Sequence, residues 1–374
     1  SNGLCFVPVK TFTSGAQIET KQDISQPNLD LKSEAANTKK LNNELHEFYK
    51  IAEQIENNAK EIDTSFVELF LDVYERKILN YVELWRVETA ILKSQSISNL
   101  SLDDIHTLLK PFVNHYYGSL EFYNKLGCQF CKFIEESGEI NYRTFLRMLT
   151  QFSQANAITE ELSSKVNQYI EKNLLQYEKV SDHYPAFVLS NLAFYFSLNY
   201  QNTRQYHEQF FEILRRTLKV NREIFYKTLE KMEYYRYIWN FLQTIKLNDK
   251  ELFDNLTKEK IISKIPFKYT GFGSSVPQEQ ILEMVRKITQ KEVHKEKMIG
   301  IYHIDMFISP KTAIEINGYH HYFDRGSRRS GLYQVKYNNL KKMGLDVREI
   351  PLTVWRNKNN SEQEAYLKDI LREI

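Results

Sequence analysis

The chain has 374 residues, of which 42% are hydrophobic, 13% aromatic and 26% charged, and these proportions exclude wholesale disorder, a collagen-like chain and a disulfide scaffold. Only 12 glycines and 8 prolines occur, which argues against a many-turned β-protein and favours long helices. The net charge is +2, so an interaction with nucleic acid requires a local basic patch. No run approaches the roughly 20 uninterrupted apolar residues of a membrane span.

The first 40 residues are polar and contain few periodic apolar positions, as in the segment 22–28. Such a segment cannot bury enough surface to fold alone, so we predict an extended polar tail over residues 1–40. We expect the other subunits of a larger assembly to order this tail, and packing on the body of the same chain is the alternative. The first residue is Ser1, which indicates a processed chain.

Apolar residues recur at spacings of three and four through residues 41–265, with interruptions by Asn, Ser, Gly or Pro. This pattern predicts a series of amphipathic helices. A weak repeat of about 40 residues aligns four apolar groups: Ile105 and Leu108; Leu146, Leu149 and Phe152; Leu189, Leu192 and Tyr195; and Leu229, Met232 and Tyr235. Two-helix units of this length stack into an α-solenoid, and an irregular bundle is the alternative. We interpret the aromatic clusters at 194–196 and 234–237 as packing rather than base-stacking platforms.

The pattern changes after Pro266, and we assign residues 271–374 to a second, α/β domain. The predicted elements are a helix over 278–289, strands over 300–308 and 311–318, a helix over 333–343, a strand over 346–352 and a helix over 361–374. The predicted fold class is therefore mainly α, with an α-solenoid-like repeat array followed by a small α/β domain.

The two adjacent strands define their own register. Their alternating apolar residues are Ile304, Met306 and Ile308 on the first strand, and Ile314 and Ile316 on the second. One buried face has to hold both sets, because a slip of one residue reverses every side chain. This register requires a loop of odd length at Ser309–Pro310, and it places Asp305 opposite Glu315, on the same face as Asn317.

Two carboxylates on neighbouring strands can share a divalent cation that activates water, which is nuclease chemistry. Asp305 and Glu315 occupy the first two positions of a pattern typical of restriction nucleases, in which a lysine is expected where this chain has Asn317. Glu279 is a candidate third acid, although a position near a helix start explains it equally well. We therefore expect no firm catalytic residue and no cofactor, with Mg²⁺ required only by an active nuclease. The structural alternative is that both acids bond to nearby His or Arg side chains.

The C-terminal segment also carries spaced motifs of a known family. They are Ile304-Asp305-Met306, the run from Ala313 to Tyr322, Leu340 with Gly344, Ile350-Pro351 and Trp355. This stretch resembles a RAP domain, a module described as RNA-binding. It departs from the family pattern at Asn317, Tyr319 and Tyr322, which replace Asp, Pro and Phe. The resemblance implies a restriction-endonuclease-like fold, a preceding array of α-helical repeats, and work on organellar RNA, in some cases within mitochondrial ribosomes.

A flexible basic loop follows these motifs, and it offers a local patch for RNA. The predicted RNA-binding residues are Arg325, Arg328, Arg329, Lys336, Lys341 and Lys342 for phosphates, and His320 and His321 for unpaired bases. The alternative is a solvated loop beside a buried cluster of His and Tyr.

From these observations we predict a non-catalytic RNA-binding protein of the mitochondrial matrix, imported and processed. We expect it to be a structural subunit of a ribonucleoprotein such as the mitochondrial ribosome, with ribosomal RNA and neighbouring protein subunits as partners. The alternatives are a freestanding factor for RNA processing or stability, a metal-dependent endoribonuclease that uses Asp305 and Glu315, and a scaffold that binds only proteins.

Overall fold

The computed structural model describes residues 30–57, 60–76, 81–95, 97–136, 140–175, 186–220, 222–231, 234–257 and 276–372. The helices that precede the second domain are α1 (Asp30–Glu56), α2 (Thr64–Glu75), α3 (Tyr81–Lys93), α4 (Leu102–Asn114), α5 (Leu120–Glu136), α6 (Tyr142–Gln154), α7 (Glu160–Tyr169), α8 (Ala186–Leu198), α9 (Tyr200–Thr203), α10 (His207–Val220), α11 (Arg222–Lys231), α12 (Tyr235–Asn248) and α13 (Lys250–Thr257). A mainly helical N-terminal array is therefore confirmed.

Local capping explains where several of these helices begin. The Ser101 hydroxyl accepts a hydrogen bond from the Asp104 amide at 3.1 Å, and the Asp104 carboxylate accepts one from the Ser101 amide at 2.9 Å. This reciprocal capping box satisfies two amides that have no partner inside the helix. Thr159 caps α7 through the Leu162 amide at 3.2 Å. Ser101 and Thr159 therefore mark the starts of α4 and α7.

The first helices stack in two rows, as in a solenoid. Each helix packs on the helix two places later in the chain. Helices α2, α4, α6 and α8 follow each other in one row, and α3, α5 and α7 form a second row. Polar side chains join successive helices of the first row: Thr64 donates to Asp104 at 3.0 Å, and Thr150 donates to Asn191 at 2.7 Å. The first three aligned apolar groups lie on α4, α6 and α8, so this part of the repeat alignment is correct.

The fourth aligned group is wrong, because the repeat lengthens after α8. Helices α9, α10 and α11 are inserted, and α12 is the helix that packs on α8. The stacked rings of Phe194 and Tyr237, 4.5 Å apart, join these two helices. Leu229 lies on α11 instead, and Met232 lies outside the described residues. Phe194, Tyr195 and Phe196 are buried, which confirms their interpretation as packing residues.

The C-terminal domain contains a four-stranded sheet between helices. Its elements are α14 (Val276–Thr289), β1 (Val293–Ile299), β2 (Tyr302–Ile308), β3 (Thr312–Asn317), β4 (Tyr322–Phe323), β5 (Arg328–Arg329), α15 (Gly331–Lys342), β6 (Asp346–Pro351), α16 (Leu352–Arg356) and α17 (Asn360–Ile370). The sheet order is β1-β2-β3-β6, with antiparallel pairs except for the parallel pair of β3 and β6. Helices α14, α16 and α17 cover one face, and α15 covers the other.

The hairpin of β2 and β3 has the predicted register, with one correction. Met306 pairs with Ile314 and Ile308 with Thr312, which leaves a three-residue loop, and the backbone pairing ends at Met306, next to Asp305. The prediction that Ile304 shares a face with Met306 is wrong, because Ile304 belongs to the core on the α15 face. The pairing of β1 with β2 skips Asp305, and Glu296 has a left-handed φ of 52°. The strand therefore changes face at Asp305.

One further prediction differs from the structure, at the end of the predicted tail. Helix α1 begins at Asp30, inside the predicted extended tail, and the stretch 31–41 is rich in the helix formers Leu, Lys, Glu and Ala. Residues 1–29 and the predicted boundary at 265–271 lie outside the described residues. The chain divides into two units, Ser1–His46 and Glu47–Ile374, and the second holds both the array from α2 onward and the sheet. No helix among the described residues is long and apolar enough to cross a membrane.

Helix α15 joins the sheet to the array. Val335 is buried with Phe194 and Tyr237, and the Asn339 amide donates to the hydroxyls of Thr244 on α12 and Tyr302 on β2, at 3.0 and 2.7 Å. At the start of the helix, a β-carbon on Gly331 would overlap the carbonyl oxygen of Ser153 on α6. Glycine is therefore required at this close approach.

Arg328 fixes the loop before α15 to two turns of the array. Its guanidinium donates to the carbonyl of Ala155, after α6, at 2.8 Å and to the carbonyl of Gly118, after α4, at 3.1 Å. The same group lies 5.2 Å from the ring centre of Tyr123 and 5.6 Å from that of Phe323. The side chain thus acts as a tie between the sheet domain and the array.

We expect Arg328→Ala to lower the free energy of unfolding by about 2–4 kcal/mol, because two charge-assisted hydrogen bonds are lost and two carbonyls lose a donor. Arg356, an exposed arginine of α16 in the same domain, provides the matched control, and Arg356→Ala should change the value by less than about 0.5 kcal/mol. Urea unfolding followed by circular dichroism measures both. Equal stability of the two variants would contradict a tie at Arg328.

Candidate functional site

Strand β3 carries the polar side chains of the candidate site into the protein interior. Alternation along the strand sends Ile314 and Ile316 into the core under α14 and α17, while Glu315 and Asn317 meet side chains of α15. Glu315 is 3% exposed and Asn317 is 1% exposed. Both are therefore removed from water, and their interactions with protein groups decide their charge and orientation.

Asp305 and Glu315 have different hydrogen-bond partners, although the charge of Lys336 acts on both. One of its carboxylate oxygens, Oδ2, accepts a hydrogen bond from the Ile316 amide at 2.7 Å, and the other, Oδ1, accepts one from Gln278 at 3.2 Å. Gln278 belongs to α14, on the opposite face of the sheet from α15. Burial raises the pKa of Asp305 above its usual range, and the hydrogen bond from Ile316 opposes that rise. The carboxylate therefore bridges β2 to β3 where their backbone pairing ends.

Glu315 forms an ion pair with Lys336, a residue predicted to bind RNA phosphates. The ammonium group of Lys336, on α15, lies 2.7 Å from Glu315 Oε2 and also donates to the carbonyl of His303 at 2.6 Å. Burial raises the pKa of Glu315 to about 7, and Lys336 opposes the rise. The second oxygen, Oε1, is buried and accepts no hydrogen bond from the protein. Lys336 and Glu315 therefore form an internal ion pair, because the side chain of Lys336 is 20% exposed and that of Glu315 is 4% exposed.

A divalent cation does not fit these acids. The Lys336 ammonium occupies the position beside Glu315 that a cation would take, and Asp305 is turned toward the Ile316 amide and α14. Glu279, the candidate third acid, forms an ion pair with Lys295 on β1. In the described part of the chain, no group of three His, Cys, Asp or Glu side chains is arranged to hold a metal ion. The structure therefore does not bring the three acids together.

Asn317 belongs to a hydrogen-bonded network. Its amide nitrogen lies 2.9 Å from the hydroxyl of Tyr322, 2.5 Å from that of Tyr333 and 3.4 Å from Glu349 Oε1. Arg329 binds the same Glu349 carboxylate through two hydrogen bonds, at 3.0 and 2.5 Å. Burial raises the pKa of Glu349, but the bonds from Arg329 and the tyrosines lower it overall. A lysine at position 317 would lie beside this tyrosine pair, and here Asn317 fulfils a structural role.

The predicted phosphate-binding residues are mostly engaged inside the molecule. Arg328 ties the domain to the array, Arg329 is paired with Glu349 and lies 3.8 Å above the ring of Tyr337, and Lys336 is paired with Glu315. Lys342 donates to the side chain of Asn248, the last residue of α12. Arg325 is exposed and bonds to Tyr117, and Lys341 is exposed on α15. A continuous phosphate-binding patch is therefore not formed by this set.

The two histidines are neutral rather than cationic. Burial lowers the pKa of His321 to about 3, with smaller contributions from His320 and Lys336. Burial also lowers the pKa of His320. His321 lies 5.0 Å from the ring of Tyr333, edge to face, and its carbonyl accepts a hydrogen bond from the Ser330 amide at 2.8 Å. His321 thus closes the loop, while His320 lies in the exposed turn next to Tyr319.

Sequence reasoning missed the residues of the array that surround this loop. Tyr116, in the turn after α4, lies 5.5 Å from Phe323 and 6.2 Å from His320. About 200 positions separate these residues along the chain, a distance at which no periodicity or spacing rule predicts a contact. The sequence also did not predict the positive φ of 53° at Tyr116, because tyrosine does not favour that conformation.

The C-terminal domain matches a known protein family. The family model described as RAP domain matches residues 314–370, which run from β3 through α17, and the chain therefore contains a RAP domain. The match begins after Asp305, so it includes Glu315, Asn317 and the loop but not the first acid. Among curated proteins, none matches the chain. A RAP domain suggests RNA binding, which is the function that this C-terminal domain supports.

We expect Lys336→Met to destabilise the protein by about 3–5 kcal/mol at pH 8, because Glu315 loses its counter-charge and its pKa rises further, so the folded state must either bury an uncompensated charge or take up a proton. The loss should be smaller at pH 5. A folded-state pKa near 7, raised above the usual value, means that Glu315 is protonated at pH 5 in the native state, and its ionisation reduces stability as the pH rises through 7.

Thermal unfolding at the two pH values measures this difference. The matched control is Lys341→Met, an exposed lysine of the same helix, which should have little effect. The double variant Glu315→Gln with Lys336→Met should recover most of the loss at pH 8. A loss that is equal at pH 5 and pH 8 would rule out the ion pair as its cause.

Proposed function

We propose that this chain is a non-catalytic RNA-binding protein of the mitochondrion, and a structural subunit of a ribonucleoprotein such as the mitochondrial ribosome. In this role it contacts ribosomal RNA and neighbouring protein subunits. The observation that carries the RNA-binding part is the RAP domain match over residues 314–370, in a domain that is joined to a helical array. The mitochondrial part rests on the resemblance of the motifs around Glu315 to organellar proteins.

The geometry of the acids supports a role without catalysis. Metal-dependent hydrolysis requires carboxylates that converge on a cation and a group that stabilises the developing negative charge. Asp305 and Glu315 have partners on opposite faces of the sheet, and Lys336 neutralises Glu315. The surrounding groups therefore stabilise the fold, and the RAP domain offers its surface rather than a reaction centre.

The rigid connection between domain and array supports a structural subunit over a transient factor. Arg328, Gly331 and Asn339 each join the RAP domain to a different helix or turn of the array. A preformed surface that spans both parts binds with little loss of conformational entropy. Such a surface suits an assembly in which the protein stays bound.

Sedimentation of mitochondrial extracts tests the assembly. We expect the protein to migrate with ribosomal subunits in high-salt sucrose gradients and to cross-link to ribosomal RNA. Release from RNA at high salt, with recovery of one messenger or precursor transcript, would instead indicate a freestanding RNA factor. Migration with protein complexes that contain no RNA would contradict the proposal.

A cleavage assay tests the absence of catalysis. The purified chain, incubated with labelled single-stranded RNA and Mg²⁺ or Mn²⁺, should retain the RNA without cutting it, and Asp305→Ala should leave retention unchanged. Asn317→Lys serves as a companion variant, because it restores the residue type that an active site of this pattern contains. Metal-dependent cutting by the unmodified protein that disappears in Asp305→Ala would establish a nuclease.

A further inference from the structure

The turns of the array present aromatic rings next to the loop of the RAP domain. Helices α2, α4 and α6 end on the same side as α3, α5 and α7 begin, and Arg328 binds two of the connecting turns. In the turn after α4, Tyr116 lies 6.4 Å from Tyr319, edge to face. On the neighbouring α3, the ring of Tyr81 lies 5.8 Å from that of Tyr117. Burial raises the pKa of Tyr81, with a smaller contribution from the nearby Tyr319 phenol.

Three of these rings face solvent to an extent that is unusual for aromatic side chains. Tyr319 is 60% exposed, Tyr81 is 53% exposed, and Trp85, one helical turn after Tyr81, is 42% exposed. Together with Tyr116 they form what we name the aromatic surface. Arg325, which bonds to Tyr117, adds positive charge to it. The guanidinium of Arg86, which is paired with Glu56 at 3.3 Å, lies 5.4 Å from the Trp85 ring.

We propose that the aromatic surface, composed of Tyr81, Trp85, Tyr116 and Tyr319, binds unpaired nucleotides of single-stranded RNA by stacking on their bases. This inference rests on the proposed RNA-binding function and deepens it, because it places the contact across the RAP domain and the array. Aromatic side chains beside arginine are the usual platform for unpaired bases.

The chemistry of the surface favours RNA over a protein partner. Its rings carry polar tips, a hydroxyl on each tyrosine and an indole N–H on Trp85, that hydrogen-bond to base edges and sugars. Aliphatic side chains contribute little to the surface. The exposed aliphatic residue on this part of α3 is Val82, which is 52% exposed. Tyrosine, tryptophan and arginine also anchor protein interfaces, so the adjacent RAP domain is the observation that decides for RNA.

Because the basic residues bond to protein groups, the dependence of binding on salt distinguishes stacking on bases from binding of phosphates. Arg328, Arg329 and Lys336 bond to protein groups, so few cations are available to displace counterions from RNA. Binding through phosphates depends steeply on salt, with a slope of about −0.7 per phosphate on single strands. Stacking on the aromatic surface therefore predicts a shallow slope, of about −1 to −2.

Fluorescence anisotropy of the full chain with a labelled, unstructured single-stranded RNA of mixed sequence tests the inference. Tyr319→Ala and Tyr81→Ala should each weaken binding roughly 5- to 150-fold, the range measured for loss of one stacked base. Tyr319→Phe should bind like the unmodified chain, because stacking uses the ring. The matched control is Tyr142→Ala, since Tyr142 is 39% exposed with Arg143 beside it but lies at the start of α6, on the other side of the array.

Cross-linking and tryptophan fluorescence locate the contact independently of affinity. Ultraviolet cross-links to RNA should map to the peptides that contain Tyr81, Trp85 or Tyr319, and RNA should quench a fluorescence component that Trp85→Phe removes. Circular dichroism of each variant confirms that it is folded.

The outcomes separate the two proposals. RNA binding that survives Tyr319→Ala and Tyr81→Ala, or cross-links confined to other peptides, would overturn the aromatic surface and leave the RNA-binding function in place. An unmodified chain that binds no RNA at physiological salt would overturn both. Capture of a protein partner on this surface in the absence of RNA would overturn the aromatic surface alone.

Discussion

Helix α15 has both of its faces buried, one against the sheet of the RAP domain and the other against α6, α8 and α12 of the array. This packing requires Gly331, because a side chain there would overlap a backbone carbonyl of α6. Interiors are packed too densely to absorb such an overlap without movement of whole elements. The position of the sheet, the loop before the helix and the polar groups beneath it all follow from this one contact.

The buried position of α15 also decides the electrostatics of the domain. Lys336 lies on the helix face that meets β3, so it neutralises Glu315, and the loop that leads to α15 brings Arg328 and Arg329 onto carbonyl and carboxylate acceptors. Buried charges require such partners. A segment that is basic by composition therefore contributes little positive charge to the surface, and the proposed recognition of RNA depends on exposed rings instead.

Elements with a strong local pattern were predictable, and those that depend on distant neighbours were not. The hairpin register followed from alternation in β2 and β3, and the helices of the array followed from their apolar spacing and caps such as Ser101. Strand β1 was missed because it lies at the sheet edge and carries His, Lys and Glu at exposed positions, a composition that does not indicate a strand. The face of Ile304 was mispredicted because the backbone reverses at Asp305.

The amino-acid sequence by itself determined the helical array, the presence of the RAP domain and the register of β2 with β3, the strands that carry Asp305 and Glu315, because periodicity, caps and motifs act over short distances along the chain. The tertiary structure alone decided which of those polar residues interact. It turned Asp305 toward α14 and gave Lys336 to Glu315. It also placed Tyr319 beside Tyr116, because contacts between residues some 200 positions apart arise only when packed helices exclude water from the surfaces between them.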